Sequence, residues 1–66
     1  MEASVDVYDI SGRLVRALAR GRYSAGQQDV TWDLVDNSGN PVHAGVYMMF
    51  ARLGPRTFVR RVAVTR

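Results

Sequence analysis

Oxygen-bearing side chains are densest between positions 33 and 40 of this 66-residue chain. The segment contains Asp33, Asp36, Asn37, Ser38 and Asn40. Carboxylate and amide oxygens are ligands that Ca²⁺ prefers, but the spacing does not match the register of a helical calcium loop, and no acid follows to complete it. Asx-type hydrogen bonds within a turn explain the same residues. We therefore predict a turn here, with no metal and no cofactor.

Residues that could support nucleophilic catalysis are few. His43 is the single histidine, and it has no carboxylate or cysteine close in sequence to orient it. Ser11, Ser24 and Ser38 lie at or near glycines in turn-forming segments. A nucleophile needs a base and a group that orients the base. The sequence therefore predicts a surface histidine and no catalytic residues, so the chain is not expected to be an enzyme.

The charge of the chain is positive, because nine arginines outnumber six acids and give a net charge of +3. Arginine grips phosphates and carboxylates with two parallel hydrogen bonds, so a nucleic-acid partner has to be considered. The arginines are spread along the chain and interleaved with acids, whereas a phosphate-binding surface needs them clustered. We expect no nucleic-acid partner. We also expect no membrane insertion, because no apolar run approaches the roughly 18 residues that cross a bilayer.

The elements that position these side chains are organised around residues 5–18, where two alternating apolar runs meet at a turn. Val5 and Val7 fall on one face of the first run, because strand side chains alternate with a period of two. The tetrapeptide Asp-Ile-Ser-Gly at positions 9–12 supplies turn-forming side chains and a glycine. The segment therefore predicts a β-hairpin.

Three further strands are predicted from alternation and composition. Residues 28–34 form a half-buried strand in which Trp32 makes the largest apolar contribution. Residues 46–53 are apolar on both faces, which indicates a central strand, and residues 57–65 form the last strand. Five strands with short turns indicate a small antiparallel sheet or sandwich, in which one outer edge needs cover or a partner.

The pattern D-x-S-G-x-x-V occurs twice, at residues 9–15 and 36–42. A period of 27 residues could indicate a repeat array, but the flanking strands do not match each other. We interpret the two copies as the same turn used twice.

The last two predicted strands raise two further questions. Residues 47–50, Tyr-Met-Met-Phe, form a soft apolar cluster that suits either the core or a partner-binding face, and core packing is favoured. Arg60 and Arg61 are adjacent in a strand, so one lies on each face. At least one of them must reach solvent or pair with an acid such as Asp6 or Asp29.

Nearly the whole chain resembles a known family. Six segments carry the resemblance and follow one another in order, namely residues 7–15, 25–26, 30–33, 36–39, 45–47 and 60–66. Together they resemble the C-terminal sorting domain of type IX secretion cargo, which is closely similar to the immunoglobulin-like domain of flagellar hook-capping proteins.

The resemblance implies an all-β fold, a small antiparallel immunoglobulin-like β-sandwich of about five strands, lacking the family's first strand. Residues 1–66 would then be a single module of a larger secreted protein. Its expected function is non-catalytic: the secretion machinery recognises the domain, which is then cleaved or used to attach the cargo to the cell surface. The expected location is outside the cell or on its surface, reached through the periplasm with a signal peptide upstream. The alternative is a structural scaffold of the flagellar-hook-cap type, or an accessory domain of a hydrolase.

The resemblance also assigns candidate sorting residues. Gly12 falls on the family's turn glycine, and Gly45 and Tyr47 fall on its G-x-Y motif. The basic-apolar tail comprises Arg60, Arg61, Val62, Val64 and Arg66.

The sequence departs from the family at two places. Leu34 follows the Trp-Asp pair where the family usually has glycine, so we expect a differently shaped turn there. The family's first strand is absent before Val5, which would leave an open edge. We therefore expect a homo-oligomer formed by edge-strand pairing or strand exchange, besides a partner in the secretion machinery or on the cell surface.

Overall fold

A computed structural model of the chain describes residues 2–22 and 30–65. These residues form four strands, which are β1 (Glu2–Asp9), β2 (Leu14–Arg22), β3 (Gly45–Leu53) and β4 (Arg56–Val64). All pairings are antiparallel, and the order across the single sheet is β2-β1-β3-β4. The predicted all-β class is confirmed. No helix in the described ranges could span a bilayer.

The predicted hairpin around the D-I-S-G turn is confirmed as β1 and β2. The register of this pair skips Leu18 and then Val15 on β2, so each is the extra residue of a β-bulge. Both side chains pack against the hydrophobic core. The two bulges thus bring residues three positions apart in a strand onto the same face.

The two D-x-S-G segments fold into the same turn, as predicted. Asp9 Oδ1 accepts hydrogen bonds from the backbone N–H of Ser11 and of Arg13, each 2.9 Å long. Asp36 Oδ1 accepts equivalent bonds from the N–H groups two and four residues later, at 2.9 and 3.0 Å. Gly12 and Gly39 have φ values of 86° and 85°, which glycine adopts without steric cost. Two local sequences with the same chemistry therefore reach the same backbone structure.

The aspartate in the second of these turns supports a test of its contribution to stability. Replacing Asp36 by alanine removes the acceptor of two backbone N–H groups, and we expect a loss of about 1 kcal/mol of unfolding free energy. Asp36→Asn retains the Oδ1 acceptor and should lose about half as much. Urea unfolding measures both, with Asp33→Ala on the exposed neighbouring segment as the control. Equal stabilities for the alanine and asparagine variants would contradict a stabilising role for the Oδ1 acceptor at position 36.

Strand β3 is central, as its apolar sequence predicted, because it pairs with β1 on one side and β4 on the other. The β3–β4 connection has two residues, Gly54 and Pro55, between the paired Leu53 and Arg56. Gly54 has a φ of 59° and proline fixes its own φ near −65°, which is the pattern of a type II′ hairpin turn.

The prediction of a fifth strand at residues 28–34 is wrong for its described part. Residues 30–34 lie outside the strands, and the only pairing nearby is an isolated bridge between Val35 and Pro41. Leu34 has a φ of 62°, which interrupts the extended backbone. The Trp32 indole N–H bends back to donate to the carbonyl of Val35 at 2.9 Å. Positions 28 and 29 lie outside the described residues.

One face of the sheet, here called the core face, is partly covered by Trp32, Leu34 and Val42 from the segment before β3. Val7 is fully buried there and, with Val42, Tyr47 and Val64, forms the buried cluster. Trp32 and five other apolar side chains pack against it: Val15, Leu18, Leu34, Met49 and Val62. The arrangement is consistent with a fragment of a small immunoglobulin-like β-sandwich, with an irregular segment over one face.

Leu34 holds a backbone conformation that suits glycine better. A left-handed φ costs a residue with a Cβ about 1–2 kcal/mol, and Leu34 compensates by packing on the core. The expected difference in turn shape from the family stays a prediction.

Substitutions of Leu34 should therefore reverse the usual ranking of alanine and glycine. Leu34→Gly and Leu34→Ala both lose the packing, but glycine also removes the strain, so we expect it to be more stable by about 1 kcal/mol. At Leu14, an exposed strand position of β2, alanine should be the more stable by about 0.5–1 kcal/mol. Thermal unfolding of the four variants measures the difference. An alanine variant at position 34 that is as stable as the glycine variant, or more stable, would contradict backbone strain at this position.

Candidate interaction surface

The second face of the sheet, here called the open face, carries aromatic, aliphatic and arginine side chains in rows. Cross-strand pairing places Asp6, Phe50 and Val59 in one row. The next row in one direction contains Tyr8 beside Met48, with Arg61 beyond it, and in the other direction Ser4 lies beside Arg52 and Thr57. Because side chains alternate along strands, all these residues project from the same side.

The centre of the open face is apolar and accessible. The rings of Tyr8 and Phe50 meet edge to face, with centroids 5.2 Å apart and planes at 85°. Phe50 is 38% exposed and Val59 is 48% exposed. Exposed apolar groups in contact with one another are a feature of surfaces that bind other proteins.

An ion pair lies next to the apolar centre. The carboxylate of Asp6 is 2.8 Å from Arg20 Nη2, and Asp6 is only 8% exposed although it carries a charge. A charged group so sheltered is tolerated because it is paired. The sequence left Arg60 and Arg61 either exposed to solvent or paired with an acid such as Asp6; both are exposed, and Asp6 pairs with Arg20. The bulges of β2 set the hairpin register that brings Arg20 there, and alternation alone gives no signal for them.

A shallow groove of about 640 Å³ crosses the open face. Its lining combines charged, hydroxyl and aromatic groups, among them Ser4, Asp6, Tyr8, Arg20, Phe50 and Arg52. A second groove, of about 470 Å³, lies between the two aspartate turns. The Oδ1 atoms of Asp9 and Asp36 are already used there as acceptors for backbone N–H groups.

Among the residues considered for metal binding and catalysis, Asp36 and His43 take part in hydrogen bonds that hold the fold. The Asx-turn explanation of Asp36 is confirmed by its hydrogen bonds. His43 is exposed, as predicted for a surface histidine, and its backbone carbonyl accepts a hydrogen bond from the Tyr47 hydroxyl at 2.7 Å. Residues 2–22 and 30–65 contain no group of three or more histidine or acidic side chains that could hold a metal ion. Ser24 lies outside these ranges.

The candidate sorting residues are distributed over the sheet. Gly12 is in the β1–β2 turn, and Gly45 is the first residue of β3. Tyr47 is buried on the core face. Arg60 and Arg61 lie on opposite faces and both are exposed, so the predicted alternation and access to solvent are confirmed. Arg66 lies outside the described residues. The role of these residues in sorting stays a prediction.

The outer edge of β2 is partly covered by the second aspartate turn. The N–H of Asn37 donates to the Val15 carbonyl at 3.0 Å, and the N–H of Ala17 donates to Asn37 Oδ1 at 2.9 Å. Arg16 also donates to the Asp36 carbonyl at 3.0 Å. Loops that bond to an edge strand block its pairing with other chains. The β4 edge, at the other side of the sheet, carries arginines 56, 60 and 61.

The model of the FlgD Ig-like domain family matches residues 1–52. The match includes β1, β2 and most of β3, and thus Tyr8, Phe50 and Arg52 of the open face. No curated protein and no solved structure matches the chain. Domains of this family are structural and non-catalytic. The match covers well over half of the sequence, and the chain therefore belongs to the FlgD Ig-like domain family.

Proposed function

We propose that the chain is a non-catalytic structural module of the flagellar-hook-cap type, which contributes a rigid sheet surface to a larger protein or assembly. Family membership supports the structural role. The observation that carries the proposal is the open face, where Phe50 and Val59 are accessible while the opposite face holds the core. A sheet with one apolar face accessible is suited to packing against another element.

The use of the acidic side chains also favours a structural role over catalysis. Asp9 and Asp36 accept backbone hydrogen bonds in turns, and Asp6 is paired with Arg20. A general acid or base must be able to exchange a proton with a substrate. In these three residues the carboxylates instead stabilise the hairpin and the turns.

Site-specific photocrosslinking in the cell that makes the chain tests the proposal. A photoreactive phenylalanine analogue at position 50 or 59 of the open face should form covalent adducts with another protein. The same analogue at Thr31, which is exposed in the segment before β3, is the matched control and should give few adducts. Folded chains that form no adducts from either open-face position would contradict a structural module working through this face.

The type IX sorting function stays a second proposal that rests on the resemblance of the G-x-Y motif and the basic-apolar tail. A fluorescent reporter with a signal peptide, fused ahead of residues 1–66, tests it in a type IX-competent host and a secretion-deficient sibling. Export that depends on the secretion system would support sorting and the expected surface location. Retention in the periplasm of both hosts would leave the structural function as the better explanation.

A further inference from the structure

We infer that the open face binds an acidic, amphipathic protein segment, with apolar side chains that cover Phe50 and carboxylates that pair with Arg52 and Arg61. The inference rests on the proposed structural function and adds the chemistry of the partner. It follows from the position of the arginines relative to the apolar centre, from the residue types, and from the like charges that a second copy would bring.

The arginines bracket the apolar centre along the strands. Arg52 lies two residues beyond Phe50 on β3, and Arg61 lies two residues beyond Val59 on β4. These strands are antiparallel, so the two arginines extend in opposite directions from the shared row of Phe50 and Val59. Each is about 7 Å along its strand from that row. A partner that covers the centre therefore meets a cation on either side.

The residue types of the open face match those enriched in protein–protein interfaces. Aromatic residues, methionine and arginine are enriched there, whereas lysine and acids are depleted. The open face has Tyr8, Met48, Phe50 and the two bracketing arginines, and its acid at position 6 is already paired. Arginine binds carboxylates with two parallel hydrogen bonds. An acidic protein surface therefore complements both the charge and the apolar centre.

A second copy of the chain complements this surface less well. Face-to-face packing would bring Arg52 and Arg61 against the arginines of the other copy. Pairing of β4 with itself in a register centred on Phe58 would place Arg56 directly opposite Arg60. Like charges directly opposite one another destabilise strand pairs. The charges thus favour a partner of opposite sign.

The test is an NMR titration of the isotope-labelled 66-residue chain with a soluble helical peptide that has leucines on one face and glutamates elsewhere. We expect shifts of the amide signals around Tyr8, Phe50 and Val59. Two control peptides replace the glutamates by lysine or the leucines by serine, and neither should bind at the open face.

Two matched variants locate the charge contribution. Arg61→Glu reverses a charge on the open face, and Arg60→Glu makes the same change one residue away on the core face. We expect the first to weaken peptide binding about tenfold or more and the second less than about twofold. Arg52→Glu is a second open-face variant, used if the first does not retain the parent spectrum.

Several results of these experiments would overturn the inference. Amide shifts confined to the β4 edge or the core face would assign the peptide to a different surface. Equal losses of peptide affinity in the two matched variants would show that net charge, rather than the position of the arginine, determines binding. Binding of the lysine peptide would show that the open face does not select an acidic segment. Self-association of the chain without peptide would identify a second copy as the partner. If open-face crosslinks form in cells but the acidic peptide does not bind, the structural function stands and only the partner chemistry fails. If neither the crosslinks nor the complex with the acidic peptide forms, the structural function fails as well.

Discussion

Replacing Trp32 by alanine is expected to leave a large fraction of the chain unfolded at 25 °C. The indole packs on the core cluster, meets the Tyr47 ring edge to face at 5.3 Å, and donates to the Val35 carbonyl at 2.9 Å. Truncating a packed tryptophan to alanine costs about 3–5 kcal/mol. A domain of this size has a total stability of only about 3–10 kcal/mol. The Trp32 side chain therefore accounts for much of the free energy of unfolding.

Far-UV circular dichroism during urea and thermal unfolding measures the effect, since it does not depend on the tryptophan itself. Val30→Ala is the control, because Val30 is 42% exposed in the same segment and its truncation should change stability by less than about 0.5 kcal/mol. Trp32→Phe keeps an aromatic ring but loses the N–H donor, so an intermediate loss is expected. A Trp32→Ala chain that unfolds together with the Val30 control would show that the segment does not stabilise the sheet.

The parts of the fold that sequence predicted well are those decided by local chemistry. Asp9 and Gly12 define a turn through an Asx hydrogen bond and a positive φ, and Asp36 and Gly39 repeat it. Alternation placed Val5 and Val7 on one face of β1, and both are buried. The apolar residues on both faces of residues 46–53 also indicated that β3 is central, and it lies between β1 and β4.

The segment around Trp32 shows why the remaining part was not predictable. Alternating residues at 30–33 are typical of a strand, but a strand also needs a partner for its backbone groups. The positive φ of Leu34 interrupts the extended backbone, and the Trp32 indole donates to the carbonyl of Val35 in its own segment. Neither is visible in periodicity, and a bulky residue such as leucine is uncommon at a positive φ.

The candidate surface was predictable in composition but not in geometry. Residues 47–50 were assigned to either the core or a partner-binding face, and the strand divides them between the two. Tyr47 and Met49 pack in the core, whereas Phe50 is exposed on the open face beside Met48. The pairing of Asp6 with Arg20 depends on the bulges of β2, which alternation does not predict.

Replacing Tyr47 by alanine is the second change expected to have a large effect. Tyr47 is 8% exposed, belongs to the buried cluster, and supports the Trp32 ring. Loss of a buried aromatic side chain costs about 3–5 kcal/mol. We therefore expect Tyr47→Ala to be as unstable as Trp32→Ala. Because the two rings are in contact, the double variant should lose less than the sum of the single losses.

The Tyr47→Phe variant distinguishes a role of this residue in folding from a role in export. It keeps the ring and removes only the hydroxyl that donates to the His43 carbonyl at 2.7 Å, so the expected loss is about 1 kcal/mol. Circular dichroism should therefore show a folded chain, while Tyr47→Ala unfolds at far lower urea concentration. If the reporter fusion is exported by a type IX host, failure of Tyr47→Ala alone would be explained by unfolding. Failure of the folded Tyr47→Phe fusion would instead show that export depends on the hydroxyl and its bond to the His43 carbonyl. Equal stability of the two variants would contradict the core role assigned to the ring.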